Sequence, residues 1–135
     1  AEPGRSFGLA IGPVEEAQAF TGERIALTFL SSSPDTRTNL GLLETMGIET
    51  VVQVTLFDAR GTSLAIREQS LAPNQAVQWN DVFTAMGVPP EENASAIVEV
   101  LGGGGVIAHA IRVDNRTNDA SFLQGRILRL PLPPR

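Results

Sequence analysis

Short runs of alternating apolar and polar residues, broken roughly every ten residues by Gly, Pro, Asn or Asp, point this chain to a layered β structure. Residues Glu49 to Phe57 show the pattern best. Val52, Val54 and Leu56 fall on one face and Gln53 and Thr55 on the other, as in a strand with one buried side. Asp58-Ala59-Arg60-Gly61 then reads as a type I turn with Gly in the left-handed position, joining a hairpin to Ser63–Leu71. Upstream, Arg24 to Leu30 predicts a strand with Ile25, Leu27 and Phe29 on one face, and Thr38 to Glu44 predicts one with Leu40 and Leu42 inward. Ser31-Ser32-Ser33-Pro34-Asp35 between them has the composition of a loop. Downstream, Leu71-Ala72-Pro73-Asn74 marks a corner and Ala76–Trp79 a short strand, after which Asn80 or Asp81 caps a single helical turn through Met86. Ser95–Leu101 and Val106–Val113 read as a second hairpin whose tip, Gly102 to Gly105, is expected to be flexible; Phe122-Leu123 and Ile127-Leu128 close the fold.

The least regular part is the start. Phe7 to Ile11 predicts a strand ended by Gly12-Pro13, and Pro13 to Phe20 a turn of helix with Gly22 after its end. The expected organisation is an N-terminal arm or strand over 1–22, a β-sandwich domain over 23–130, and a Pro-rich tail over 131–135. The expected core comprises Leu40, Leu42, Val52, Val54, Leu56, Val98, Val100, Ile107 and Ile111.

Composition narrows the classes of function. A chain of 135 residues with 42% hydrophobic residues suits one domain with a real core. The net charge is −5, and all ten basic residues are Arg with no dense cluster among them, which argues against nucleic-acid partners. Cysteine is absent, removing disulfides, thiolate nucleophiles and Cys metal sites together. No apolar run approaches the length of a membrane span.

Four stretches, Arg37–Leu42, Leu71–Pro73, Gly104–Ala108 and Val113–Asp119, resemble the pattern of immunoglobulin-like β-sandwich domains of bacterial extracellular proteins, which often occur in tandem. That pattern has an Arg-Thr-Asn-Leu-Gly-Leu opening, a Leu-Ala-Pro corner, and a Gly-Gly-Val-Ile-Ala strand leading into Val-Asp-Asn-x-Thr-x-Asp. The resemblance covers roughly residues 20–125 and departs from the pattern at His109, where an aromatic residue is expected. The strand and turn pattern, with this resemblance beside it, predicts an all-β, immunoglobulin-like antiparallel β-sandwich with one short helical turn; the resemblance itself implies secretion and an extracellular array or cell-surface setting. It carries no catalytic residue onto this chain.

The candidate sites are few. His109, the only histidine, shares its face with Ile107, Ile111 and Val113 and reads as structural. Asp114, Asn115, Asn118 and Asp119 crowd oxygen ligands as a Ca²⁺ loop would, yet such residues also close turns, and the EF-hand spacing is absent. Trp79, the only tryptophan, lies on the face of Val77; it reads as core, or as a sugar-stacking platform if exposed. Carboxylates are scattered, and no spacing pairs two of them as a glycosidase requires. No catalytic or cofactor-binding constellation emerges. The expectation is a non-enzymatic structural or interaction module whose partners are itself or neighbouring extracellular domains. Phe7, Leu9 and Ile11 form an arm able to donate a strand into a filament or surface array. The competing expectation is a carbohydrate-binding module with a glycan at Trp79.

Overall fold

A computed structural model describes residues 18–128, and within them the chain is an immunoglobulin-like antiparallel β-sandwich. The strands are β1 (Gln18–Ala19), β2 (Arg24–Ser32), β3 (Thr36–Glu44), β4 (Thr50–Phe57), β5 (Ser63–Leu71), β6 (Ala76–Trp79), β7 (Glu91–Gly102), β8 (Val106–Asp114), β9 (Ala120–Gln124) and β10 (Arg126–Leu128). One helical turn, α1 (Val82–Ala85), follows β6. The first sheet runs β8-β3-β6, with β1 and β9 sharing the outer lane of β8; the second runs β10-β2-β7-β4-β5. β2 pairs with β7 in one sheet and β3 with β8 in the other, the interlocked arrangement of immunoglobulin sandwiches.

The alternation in the sequence becomes the core directly along most strands. Val52, Val54 and Leu56 of β4, Val98 and Val100 of β7, and Leu40 and Leu42 of β3 are buried between the sheets. The β4–β5 hairpin turns on Asp58, whose Oδ1 accepts Arg60 N and Thr62 N at 2.9 Å each. Gly61 takes the left-handed φ of 87° that the turn requires. Asp81 caps α1, its side chain accepting the Thr84 Oγ1 hydrogen at 2.8 Å, and Phe83 is buried beneath the sandwich edge.

Several expectations are corrected. Phe29 does not share a face with Ile25 and Leu27. A β-bulge sets Thr28, Phe29 and Leu30 against only Ser95 and Ala94, so Phe29 turns outward at 67% exposure with φ 63° while Leu30 is buried. Ile107 and Ile111 are not core residues either. Ala108, Ala110 and Val106 face the core and the two isoleucines are half-buried on the opposite face. Ala108 and Ala110 join Ile25 and Leu27 of β2 in one core cluster, and Ile25 and Leu27 crowd the place where Gly125 would carry a Cβ. Ser95–Leu101 and Val106–Val113 do not form a hairpin, because β7 and β8 belong to different sheets. Their four-glycine connection is no loose tip: Gly104 and Gly105 are buried, and Gly104 N donates to Thr50 Oγ1 at 2.8 Å. Pro13 to Phe20 is not helical throughout, since Gln18 and Ala19 pair with Ile107 and Val106. The sandwich therefore begins inside the expected arm. Phe7, Leu9, Ile11, the strand expected over Phe7 to Ile11, and the Pro-rich tail lie outside the described residues.

Candidate interaction surface

The first sheet turns an apolar face away from the core. Register aligns Gly41 of β3 with His109 of β8, and His109 with Gln124 of β9. The missing side chain at Gly41 makes room for the imidazole, since a Cβ there would overlap the ring of His109. On its other side His109 stacks on Phe122, with ring centroids 5.4 Å apart and planes 22° from parallel. An aromatic ring laid over a cross-strand glycine restores the contact that glycine lacks. His109 thus fills structurally the place where an aromatic residue was expected.

Around this stack lie Leu43 at 39% exposure, Phe122 at 42%, and the half-buried Ile107 and Ile111. Beside it is an open groove of about 280 Å³ lined by Gly41, Leu43, Ala76, Gln78, Ile107 and His109. His109 and Gln78 are the polar side chains among these six. The groove lies below the usual 300–1,000 Å³ range of small-molecule sites and lacks their convergent polar groups.

Trp79 is half-buried and packs against the core from β6. Arg67 of β5 sets its guanidinium 5.4 Å from the ring centre, and its NH1 donates to Ala85 O at 3.2 Å. The exposed side of the indole is therefore covered by a cation, an arrangement unlike an open sugar platform. An inward-pointing Arg on the long edge strand β5 also discourages pairing of that edge with another chain.

The oxygen-rich segment Asp114 to Asp119 is the β8–β9 turn. Asp114 N donates to Asp119 O at 2.8 Å, Asn118 N to Asp114 O at 2.7 Å, and Arg116 N to Asp114 Oδ1 at 2.8 Å. Asn115 Nδ2 donates to Pro34 O at 3.2 Å and Asp119 N to Thr117 Oγ1 at 3.1 Å. These bonds use the side chains to build the turn, and among the described residues no group of three or more His, Asp or Glu could hold a metal ion.

Sequence reasoning missed Glu44. It is 1% exposed at the end of β3. Its Oε1 accepts Gly47 N at 2.7 Å, Asn74 N at 2.9 Å and Ile48 N at 3.0 Å, and its Oε2 accepts Met46 N at 2.9 Å. Burial pushes its pKa up, but the backbone N–H groups of Asn74, Met46, Ile48 and Gly47 outweigh that and hold it at about 2. The signal was faint: a Glu at the parity of Leu40 and Leu42, just before Thr45-Met46-Gly47-Ile48. Asp58 and Asp114 are also held below the ordinary carboxylate value, chiefly by the backbone N–H groups of Thr62 and Arg116 respectively. Among the described residues, these three carboxylates are thus held ionised within turns, away from the near-neutral range that suits a general acid or base.

No family model matches this chain, and no curated protein matches it. Among solved structures, the fold is similar to that of Thermotoga maritima 1070, with a TM-score of 0.60 at 13% identity over 79% of this chain and 92% of that one. A second similarity is to FLGD from P. aeruginosa, at 16% identity over 83% of this chain and 76% of that one. Its TM-score of 0.28 is too loose an overlap to support an inference. At such identities the first likeness establishes the fold alone.

Proposed function

We propose that this chain is a non-enzymatic structural or interaction module of a bacterial extracellular or cell-surface protein, associating with further copies of itself. The observation that carries the proposal is the outward apolar face built on Gly41, His109 and Phe122, continued by Leu43, Ile107 and Ile111. Apolar faces of this kind, rimmed by polar residues, are characteristic of protein contact surfaces. The non-enzymatic part of the reading is supported by the shallow, mainly apolar groove and by carboxylates committed to turns. The extracellular part rests on the motif resemblance of Arg37–Leu42, Leu71–Pro73, Gly104–Ala108 and Val113–Asp119.

Sedimentation equilibrium of the full chain tests the reading. Reversible, concentration-dependent oligomers are expected, and a monomer at every concentration overturns it. Deleting residues 1–12 separates two routes to association. Loss of the oligomers assigns them to strand donation by Phe7, Leu9 and Ile11, whereas their persistence assigns them to the surface of the sandwich.

A further inference from the structure

The mode of association narrows to one strand, and this step rests on the self-association reading above. β1 is two residues long. It pairs with β8 at Val106 and Ile107, and β9 takes over the same edge of β8 from His109 onward. The slot that β1 fills is therefore bounded by β9 and matched to a short segment. Ala19 seals it, fully buried in the core cluster. Gln18 lies opposite Ile107, and its Nε2 donates to Met46 Sδ at 3.7 Å. The connection 20–23 leads from β1 to β2 in the other sheet and is folded back on itself. Glu23 N donates to Phe20 O at 2.8 Å and Phe20 N to Glu23 Oε1 at 2.9 Å, while Gly22 takes a φ of 87°. Opening this turn releases β1 through the loss of a few hydrogen bonds, and no other strand has to leave its sheet. That is a local opening, well short of global unfolding.

We propose that β1 is exchanged between two copies, Gln18 and Ala19 of each occupying the edge of β8 at Val106 and Ile107 in the other. The occupant follows from the structure, because the same two residues fill that slot within the chain. An identical segment from a second copy makes identical contacts, which is why exchange of this kind is a low-cost route to a dimer. The strand pairing is the same in both states, so the balance falls to the hinge and to what gathers beside it. Extended, residues 20–23 span about 13 Å, which holds the two sandwiches close with their hinges side by side. Phe20, on the hinge, is 46% exposed, and Met46 and Ile48 are 53% and 50% exposed. All three flank the slot: a Cβ on Gly105 would lie 3.2 Å from Phe20 Cε1, and one on Gly104 would lie 2.9 Å from Met46 Cβ and 3.3 Å from Ile48 Cβ. In the exchanged pair these side chains meet their counterparts, and the apolar surface removed from water there is the gain that a single copy lacks. The exchange is reciprocal, so it closes at two chains.

The chain has no cysteine, so a pair of introduced thiols reports which copy supplies the strand. Ala19 lies directly opposite Val106, and the Cα separation of such a pair falls within the range a disulfide spans. Ala19→Cys with Val106→Cys is assembled in the reduced state, oxidised with diamide, and run on a denaturing gel without reductant. Gln18→Cys with Ile107→Cys repeats the test one residue along. Gln53→Cys with Glu68→Cys, opposite each other in the β4–β5 hairpin, is the control that closes within one chain. Covalent dimers are expected from both β1 pairs and none from the control, in protein whose sedimentation matches the parent. Disulfides within single chains, in protein that sediments as an oligomer, overturn the exchange and leave self-association standing. Thiols that stay free at both β1 pairs while the control closes also overturn it, since β1 then lies in neither slot. A full chain that is monomeric at every concentration sinks both. Deleting Thr21 and Gly22 gives an independent measurement, because the shortened hinge cannot turn β1 back into its own slot. With circular dichroism unchanged, that variant is expected to be dimeric at concentrations where the parent is partly monomeric; a monomer there refutes the exchange. β1 lies beyond residue 12, so the exchange survives the deletion of residues 1–12.

Discussion

Interchanging bulk between the two faces of β8 tests the architecture at the point where the alternation is ambiguous. Ala110 is fully buried and Ile111, its neighbour, is half-buried on the outer face. Trimming Ile111 to Ala removes three carbons. At roughly 0.8 kcal/mol per buried methylene, halved because the side chain is partly in water, the cost is about 1 kcal/mol. A core isoleucine would cost ~2–5 kcal/mol, because a cavity is added to the lost transfer energy. Enlarging Ala110 to Leu adds three carbons inside the buried core cluster that Ala110 shares with Ile25 and Leu27, at an expected ~1–3 kcal/mol or more. Urea unfolding followed by the fluorescence of Trp79, the only tryptophan, measures both changes on one scale, with an unchanged m-value confirming the same exposed surface. The expected order is Ala110→Leu worse than Ile111→Ala. A loss above ~3 kcal/mol for Ile111→Ala, with Ala110→Leu near neutral, would put Ile111 in the core and refute the face assignment on which the groove depends.

Two further outcomes follow from the junction at the end of the sandwich. Glu44 titrates near 2 in the folded chain against an ordinary 4.5, so the unfolded state binds more protons between those values. Stability from Glu44 is therefore complete above pH 4.5 and lost as the pH falls toward 2. Glu44→Gln should flatten that part of the urea-midpoint profile; a variant profile parallel to the parent's would show that the carboxylate does not hold the turn. Gly103→Ala places a Cβ against Glu49 O and 2.6 Å from Thr50 Cα, both backbone atoms, at a φ of 115° that side chains rarely adopt, and is expected to cost ~1–3 kcal/mol. Parent-like stability in the same urea assay would mean that the four-glycine connection is as loose as its composition suggests.

Where the middle of a strand kept its bulk on one face, the sequence was read correctly. Val52, Val54 and Leu56 alternate with Gln53 and Thr55, and register followed without ambiguity. Along β8 the bulk lies on both faces. Val106 and Ala108 alternate with Ile107 and His109, and the larger residues are the outer ones. Side-chain size alone favours the wrong parity there, and the deciding fact is distant in sequence: Ala108 and Ala110 pack into one core with Ile25 and Leu27 of the other sheet. Phe29 misleads for a different reason. The bulge that turns it outward is a mismatch of register with Ser95 and Ala94, and no residue type near Phe29 announces it.

The candidate surface was legible only as parts. His109 could be placed on a face with Ile107 and Ile111, and Gly41 could be seen beside Leu40 and Leu42, but nothing in the sequence joins positions 41, 109 and 122. Three strands in register do that, and the stack exists because Gly41 is the position that meets the histidine. Glu44 carries the argument further. A carboxylate at a core parity looks like an exception to the alternation, yet its four backbone donors make it the fixed point of the β3–β4 turn and of the β5–β6 corner through Asn74. Replacing it with a hydrophobe would satisfy the pattern of the strand and leave four N–H groups without their acceptor. The same substitution would release Met46 and Ile48 from the conformation that displays them. At this end of the sandwich, the residue that breaks the hydrophobic pattern also orders the apolar surface beside it.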